Sequence, residues 1–306
     1  MKSIHKTVLL NEAIDGLLAQ QKAGNENLVV VDGTFGGGGH SAEIAKRYKG
    51  IKIIAIDQDH GAFEKAKDKF EGLDCQVEFV NDNFRNIMQV LKDKNIESVD
   101  GVLLDLGLSS DQLDNSGRGF SFLKDEPLLM TMKENPSPED LTAHDVVNTW
   151  GEENIAKIIF GYGEEKLSKK IAHAIVEARE KAEIKTTFQL VAIIESAVGR
   201  AYKRMRIHPA TRTFQALRIA VNDELGALTT GLQKGFEVLS GGGRMAVISF
   251  HSLEDRIVKK FFKTKVDAGE GNLVNKKIIL ASIEEIKNNS RSRSAKLRII
   301  EKNETS

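Results

Sequence analysis

The chain has 306 residues, enough for one large domain or two modest ones, each with its own core. Apolar residues make up 41% and charged residues 29%, a globular profile, and no apolar run approaches the roughly 20 residues that span a bilayer. Lys+Arg and Asp+Glu both count 44, so bulk charge argues for no nucleic-acid partner, and the single cysteine, Cys75, excludes internal disulfides and cysteine-based zinc sites. The apolar stretch near the start, Val8-Leu9-Leu10, is too short for the core of a secretory signal, so a cytoplasmic location is expected.

The first third alternates strand and helix. Residues 28–32, 51–57, 76–80 and 99–106 are short apolar runs, each predicted as a buried parallel strand. Helical spacing separates them, as in Phe84, Ile87, Met88 and Leu91. This is the pattern of a doubly wound α/β sheet. From about Ser110 to His208 no strand is predicted. Ile155, Ile158, Ile159 and Tyr162 step helically, as do Leu167, Ile171, Ile175 and Ala178, and Thr187 is a candidate N-cap for a helix over 188–198. The expectation is an all-helical insertion, 111–207, in a sheet domain made of 1–110 and 208–306. Beyond it, apolar residues from Phe214 to Leu239 recur every 3 or 4 positions and predict one long amphipathic helix ended by Gly241-Gly242-Gly243. A fifth strand is expected over 244–250. Ser252 to Asp255 is predicted as a capping box opening a helix, 264–275 as a loop, and 276–282 and 296–301 as the final strands.

The chemistry concentrates at the ends of the predicted strands. The run Asp32-Gly33-Thr34-Phe35-Gly36-Gly37-Gly38-Gly39-His40 follows the first strand and opens a helix. Glycines there let the backbone approach a ligand and adopt left-handed angles. Such turns serve nicotinamide, flavin and S-adenosylmethionine enzymes alike. Asp57 closes the second strand, where a carboxylate takes two ribose hydroxyls. Asp82-Asn83-Phe84 follows the third and Asp105 lies near the end of the fourth. Acidic or aromatic groups at all four tips suit an adenosine with a charged amino-acid tail, whereas a pyrophosphate favours cations or bare amides. Read alone, Phe84 fits a plain core position as well.

Four blocks carry a specific resemblance. They are His5 to Glu12; Asp32 to Ser41; Leu103 to Ser110 with Arg118 to Phe122; and His208 to Arg218 with Ser249 to Arg256. Together they resemble the bacterial 16S ribosomal RNA cytosine-N4 methyltransferase family, nearly end to end. The resemblance implies a Rossmann-like class I methyltransferase sheet with an inserted all-helical domain. It implies S-adenosyl-L-methionine as cofactor, held at Gly38, Gly39, His40, Asp57, Phe84, Asp105 and Gln112, and no metal. It implies N4-methylation of a cytidine in the decoding region of 16S rRNA in the small ribosomal subunit, with no membrane partner. The alternative is a non-catalytic assembly factor that binds RNA and S-adenosylmethionine. The oligomeric state stays open, a homodimer included. The family usually has Pro at His60, Asp at Leu129 and Arg at Thr131.

Charge is segregated even though the chain is neutral. From Ser196 to Asn222 there is no acid, and Arg200, Lys203, Arg204, Arg206 and Arg212 are the candidate RNA contacts. A second acid-free stretch, 286–300, carries Lys287, Arg291, Arg293, Lys296 and Arg298. For the reaction, a conjugated cytosine amino group must be held in line and its N–H bonds accepted. Amino-group methyltransferases often use an Asp/Asn-Pro-Pro-Tyr turn after the fourth strand. Here Asp105-Leu106-Gly107-Leu108 stands there, which makes Asp105 the first catalytic candidate and His251 the second.

Overall fold

The computed structural model describes residues 7–18, 28–203 and 207–304. They divide into two compact units. One comprises the described residues up to Gly107 together with those from Leu225 onward; the other is Leu108–Glu224. Among the described residues no helix is long and apolar enough to cross a membrane.

The first unit opens with α1 (Leu10–Leu18), β1 (Val29–Asp32), α2 (Gly39–Arg47), β2 (Ile51–Asp57), α3 (His60–Ala66), β3 (Cys75–Asn81), α4 (Ile87–Asp93) and β4 (Val99–Asp105). The apolar runs become strands because they bury residues on both faces. Ile53 and Leu103 enter one core while Ile54 and Leu104 enter the other.

The second unit is helical: α5 (Ser110–Asn115), α6 (Ala143–Thr149), α7 (Glu152–Gly163), α8 (Ser168–Lys181), α9 (Thr187–Lys203) and α10 (Ala210–Asn222). Val146, Ile155, Ile159, Ile171, Ile175, Leu190, Phe214 and Leu217 form its core. Each such side chain contributes roughly 1.5–3 kcal/mol by leaving water. Trp150, the chain's one tryptophan, closes α6 and packs against this core, and its carbonyl accepts from Arg179 Nη1 at 2.7 Å.

The chain then returns to the first unit with α11 (Glu224–Glu237), β5 (Leu239–Ser249), α12 (Ser252–Asp267), β6 (Gly271–Leu273), β7 (Ile279–Leu280), α13 (Ile283–Asn288) and β8 (Lys296–Lys302). The sheet runs β3-β2-β1-β4-β5-β8-β6, with β7 also on β8. β1 to β5 are mutually parallel, and β8 is antiparallel to β5, β6 and β7. Leu228, Leu232 and Phe236 of α11, with Val258 and Phe262 of α12, cover one face. Ile14, Leu17 and Leu18 of α1, with Ile44 of α2, cover the other. The chain runs outward from β1 to β3 and then restarts beside β1 at β4. This reversal opens a crevice at the carboxyl ends of β1 and β4.

The structure corrects several expectations. The single long helix is two: Asp223 adopts left-handed angles (φ 47°, ψ 45°) and ends α10. The α10 residues Ala210, Phe214 and Leu217 belong to the helical core, so the insertion runs to Glu224 rather than 207. Gly241 to Gly243 lie inside β5, at an irregularity in its pairing with β4, and do not cap a helix. The cap of α9 is Thr186, whose Oγ1 accepts from Gln189 N–H at 3.5 Å. Thr187 is buried instead, its hydroxyl donating to Lys124 O at 2.6 Å. The capping box before α12 is shifted by one, from Ser252 to His251. The expected loop 264–275 contains β6.

Candidate functional site

The site of the first unit forms where β1 and β4 end. Asp32 is buried. Its Oδ2 accepts from Ser41 Oγ at 2.6 Å and its Oδ1 from Thr34 N–H at 3.2 Å. Thr34 Oγ1 in turn accepts from Asp105 N–H at 2.6 Å, joining the two strand tips. Gly36 and Gly38 take positive φ, 51° and 69°. A Cβ on Gly38 would lie 2.6 Å from the Phe35 ring, and one on Gly39 only 1.9 Å from Thr7 Oγ1. Gly38 demands glycine by its left-handed φ, whereas a Cβ at Gly39 would require the Thr7 side chain to move.

Three predicted residues converge on it. Asp57 accepts from Gly36 N–H at 2.7 Å through Oδ2 and from Asp59 N–H at 2.9 Å through Oδ1. A third backbone bond, from Gln58, fixes the carboxylate further. Burial pushes this carboxyl up to about 6, and the same cause lifts Asp32 to about 6. His40 is buried, with Nε2 at 3.1 Å from Val8 O. That contact places a proton on Nε2, and Nδ1 lies 3.7 Å from Asp105 Oδ2. Asp105 is held well above the usual carboxylate range by burial first, then by the Asp32 and Glu254 carboxylates. Its Oδ1 is buried with no hydrogen-bond partner among the described residues. Such an orphan acceptor is costly unless a donor arrives.

Other predicted residues have local duties. Phe84 follows β3, and its ring packs on α11, where a Cβ on Gly231 would come within 2.4 Å of it. His251 caps α12: Nδ1 accepts from Glu254 N–H at 3.4 Å, and Nε2 lies 3.1 Å from Glu254 Oε1, too bent for a hydrogen bond. Glu254 Oε2 accepts from the N–H groups of Phe250 (2.8 Å) and His251 (3.2 Å), completing the box. These bonds give His251 a scaffolding role and weaken its catalytic candidacy.

In the helical unit, Gln112 is buried and closes a capping box on α5, its Oε1 accepting from Ser109 N–H at 3.0 Å. Arg212 is paired inside its own unit. Its Nη1 lies 3.7 Å from Oε2 of Glu165, a fully buried carboxylate that also accepts from the Tyr202 hydroxyl. Arg200 and Lys203 lie on α9 beyond a kink at Gly199 (φ 75°, ψ 169°). Arg204 and Arg206 lie outside the described residues. The two uncharged departures sit in a stapled segment. Leu129 O accepts from Ala143 N–H at 2.9 Å, and buried Thr131 accepts from Lys133 N–H at 3.3 Å. Sequence reading passed over Ser41 and Thr34 as a belt around Asp32, and over the Val8 carbonyl that orients His40. An acid closing β1 was the available signal.

A parallel sheet with a glycine turn at its switch point, and with Asp32, Asp57 and Asp105 at the tips of β1, β2 and β4, defines a Rossmann-like domain. The Asp57 carboxylate, closing β2 beside the glycine turn, fits the ribose of S-adenosylmethionine. The chain belongs to the MraW methylase family, whose model matches residues 2–303. It is similar to proteins named ribosomal RNA small subunit methyltransferase H. The one from Acetivibrio thermocellus is 47% identical over 99% of this chain and 100% of its own. The one from Wolbachia sp. subsp. Drosophila simulans is 48% identical, over 97% and 99%. Among solved structures, an rRNA methylase from Streptococcus thermophilus aligns at 12% identity and a TM-score of 0.46 over 99% of this chain and 100% of that one. That likeness adds nothing to the strand order itself.

Proposed function

We propose that this chain methylates N4 of a cytidine in the decoding region of small-subunit ribosomal RNA, with S-adenosylmethionine as donor. The relatives named for the small-subunit RNA support the substrate, since they match this chain over nearly its whole length. The bound donor supplies an electrophilic methyl on a sulfonium. Gly38, Gly39 and His40 shape the turn, and Asp57 takes the ribose hydroxyls. The observation that carries the catalytic assignment is Asp105: a buried carboxyl at the tip of β4 with one oxygen unsatisfied. Burial and the neighbouring Asp32 and Glu254 carboxylates raise its affinity for a proton above that of an ordinary carboxylate. Its backbone is fixed by Thr34, so it can receive an N–H bond without rearranging.

The target amino group lies on a base edge that is normally paired or stacked. Exposing it costs a few kcal/mol, which phosphate contacts must offset. The test is methylation of small-subunit RNA, or its particle, lacking this modification, followed by nuclease digestion and mass spectrometry. N4-methylcytidine should appear at one position, while free cytidine stays essentially unmodified. Asp105→Asn should lower kcat by about 10²–10⁴-fold, the usual range for a positioned acid or base. Equal turnover of free cytidine would refute the reading. An inactive wild-type protein that still binds RNA and donor would favour the assembly factor.

A further inference from the structure

From the first unit we infer a second RNA-phosphate surface, on the excursion between β7 and β8. It rests on the reading of RNA as substrate. Leu280, the end of β7, and Ser249, the end of β5, both pair with Lys296, the start of β8. Residues 281–295 therefore leave and return at the carboxyl ends of the parallel strands. Asp105 lies at that same end, paired with Ile248 one residue earlier on β5.

The excursion consists of α13 and a 3-10 turn over Ser290–Ser294. From 286 to 295 it has no acid, and it presents Lys287 and Arg293 to solvent with exposed Ser290 and Ser294 beside them. Neither Lys287 nor Arg293 has a carboxylate partner among the described residues. Lys296 and Arg298, by contrast, both pair with Asp255, at 3.3 and 2.8 Å. Of the nearby acids, Glu285 accepts from Leu9 N–H at 2.8 Å, and only Glu284 is exposed. Two cations without carboxylate partners among the described residues, flanked by hydroxyls in the acid-free run 286–295, match a phosphodiester backbone. The segment is also tied to the site. Glu285 holds Leu9, and the preceding carbonyl, Val8 O, holds His40 Nε2. RNA docked here would bear on the residue facing Asp105.

The test is RNA binding by the full chain at a series of salt concentrations, using a small-subunit RNA fragment, with donor binding measured in parallel. Lys287→Glu with Arg293→Glu should weaken RNA binding severalfold. It should also flatten the plot of log affinity against log salt by about 1.4–1.8, since each lost phosphate contact removes about 0.7–0.9. Donor affinity and melting temperature should hold. The neutral pair Lys287→Gln and Arg293→Gln should show the same flattening with a smaller loss of affinity. Unchanged affinity and slope in both doubles would overturn the inference, whether or not the wild type methylates the RNA. A wild type that binds with the steeper slope but transfers no methyl would leave this surface standing and remove the proposed function.

Discussion

Asp32 and Asp57 are buried acids whose folded pKa, about 6, exceeds the ordinary 3.8. Between those values the folded chain holds protons that the unfolded chain has released. Stability contributed by these groups therefore falls as pH rises through the window, and the cost is complete above about pH 6. Ligand binding runs the opposite way, because the ionised Asp57 is the form that accepts two hydroxyls. S-adenosylmethionine affinity should climb as pH rises through about 6 and then level. Asp57→Asn should lose at least about tenfold, since a bond to a charged group is worth roughly 1.5–3 kcal/mol. It should also lose that part of the pH dependence. Calorimetry between about pH 5 and 8 checks both, and equal affinities would remove Asp57 from the site. At this scale the sequence was most legible where a residue type and a strand end coincide, as at Asp57 and Asp105. It was least legible where a partner is distant in the chain. Nothing near Arg212 reveals Glu165, and nothing near His251 shows that its ring caps a helix.

Among the elements, the parallel strands could be read because burial on both faces leaves continuous apolar runs closed by acids. The α10–α11 break could not, because Val221 and Leu225 keep a helical step of four across it. Only the left-handed Asp223 separates them, a conformation that Asp tolerates better than most residues. The cap of α12 was misplaced because Ser outranks His as an N-cap by propensity, and Glu254 overrides that ranking by closing the box on His251. Close helix approach yields a prediction of its own. Gly163 ends α7 against α10, where a Cβ would sit 2.5 Å from Arg212 O. Backbone cannot yield as a side-chain tip can. Gly163→Ala should therefore cost about 1–3 kcal/mol net of its better helix propensity. Thermal melting should show the loss while donor affinity holds; an unchanged melting temperature would mean that the two helices can separate freely.

Across the whole molecule, the sequence indicated a sheet domain interrupted by helices, and its second boundary came out too early because α10 shares its hydrophobic step with α11. Each unit has its own core, so each has the means to unfold by itself. The position of Trp150 makes that independence measurable. The chain's only indole lies in the helical unit, so its fluorescence is blind to the sheet, whereas far-ultraviolet circular dichroism sums over both. In a denaturant titration the emission curve and the ellipticity curve should part, the ellipticity continuing to change after the emission has finished or beginning before it starts. Coincident curves would instead mean that the chain melts as one cooperative body. With S-adenosylmethionine added, the ellipticity transition should shift; an emission transition that stays in place would confine the donor to the sheet unit, and one that moves with it would give Gln112 a part in holding it.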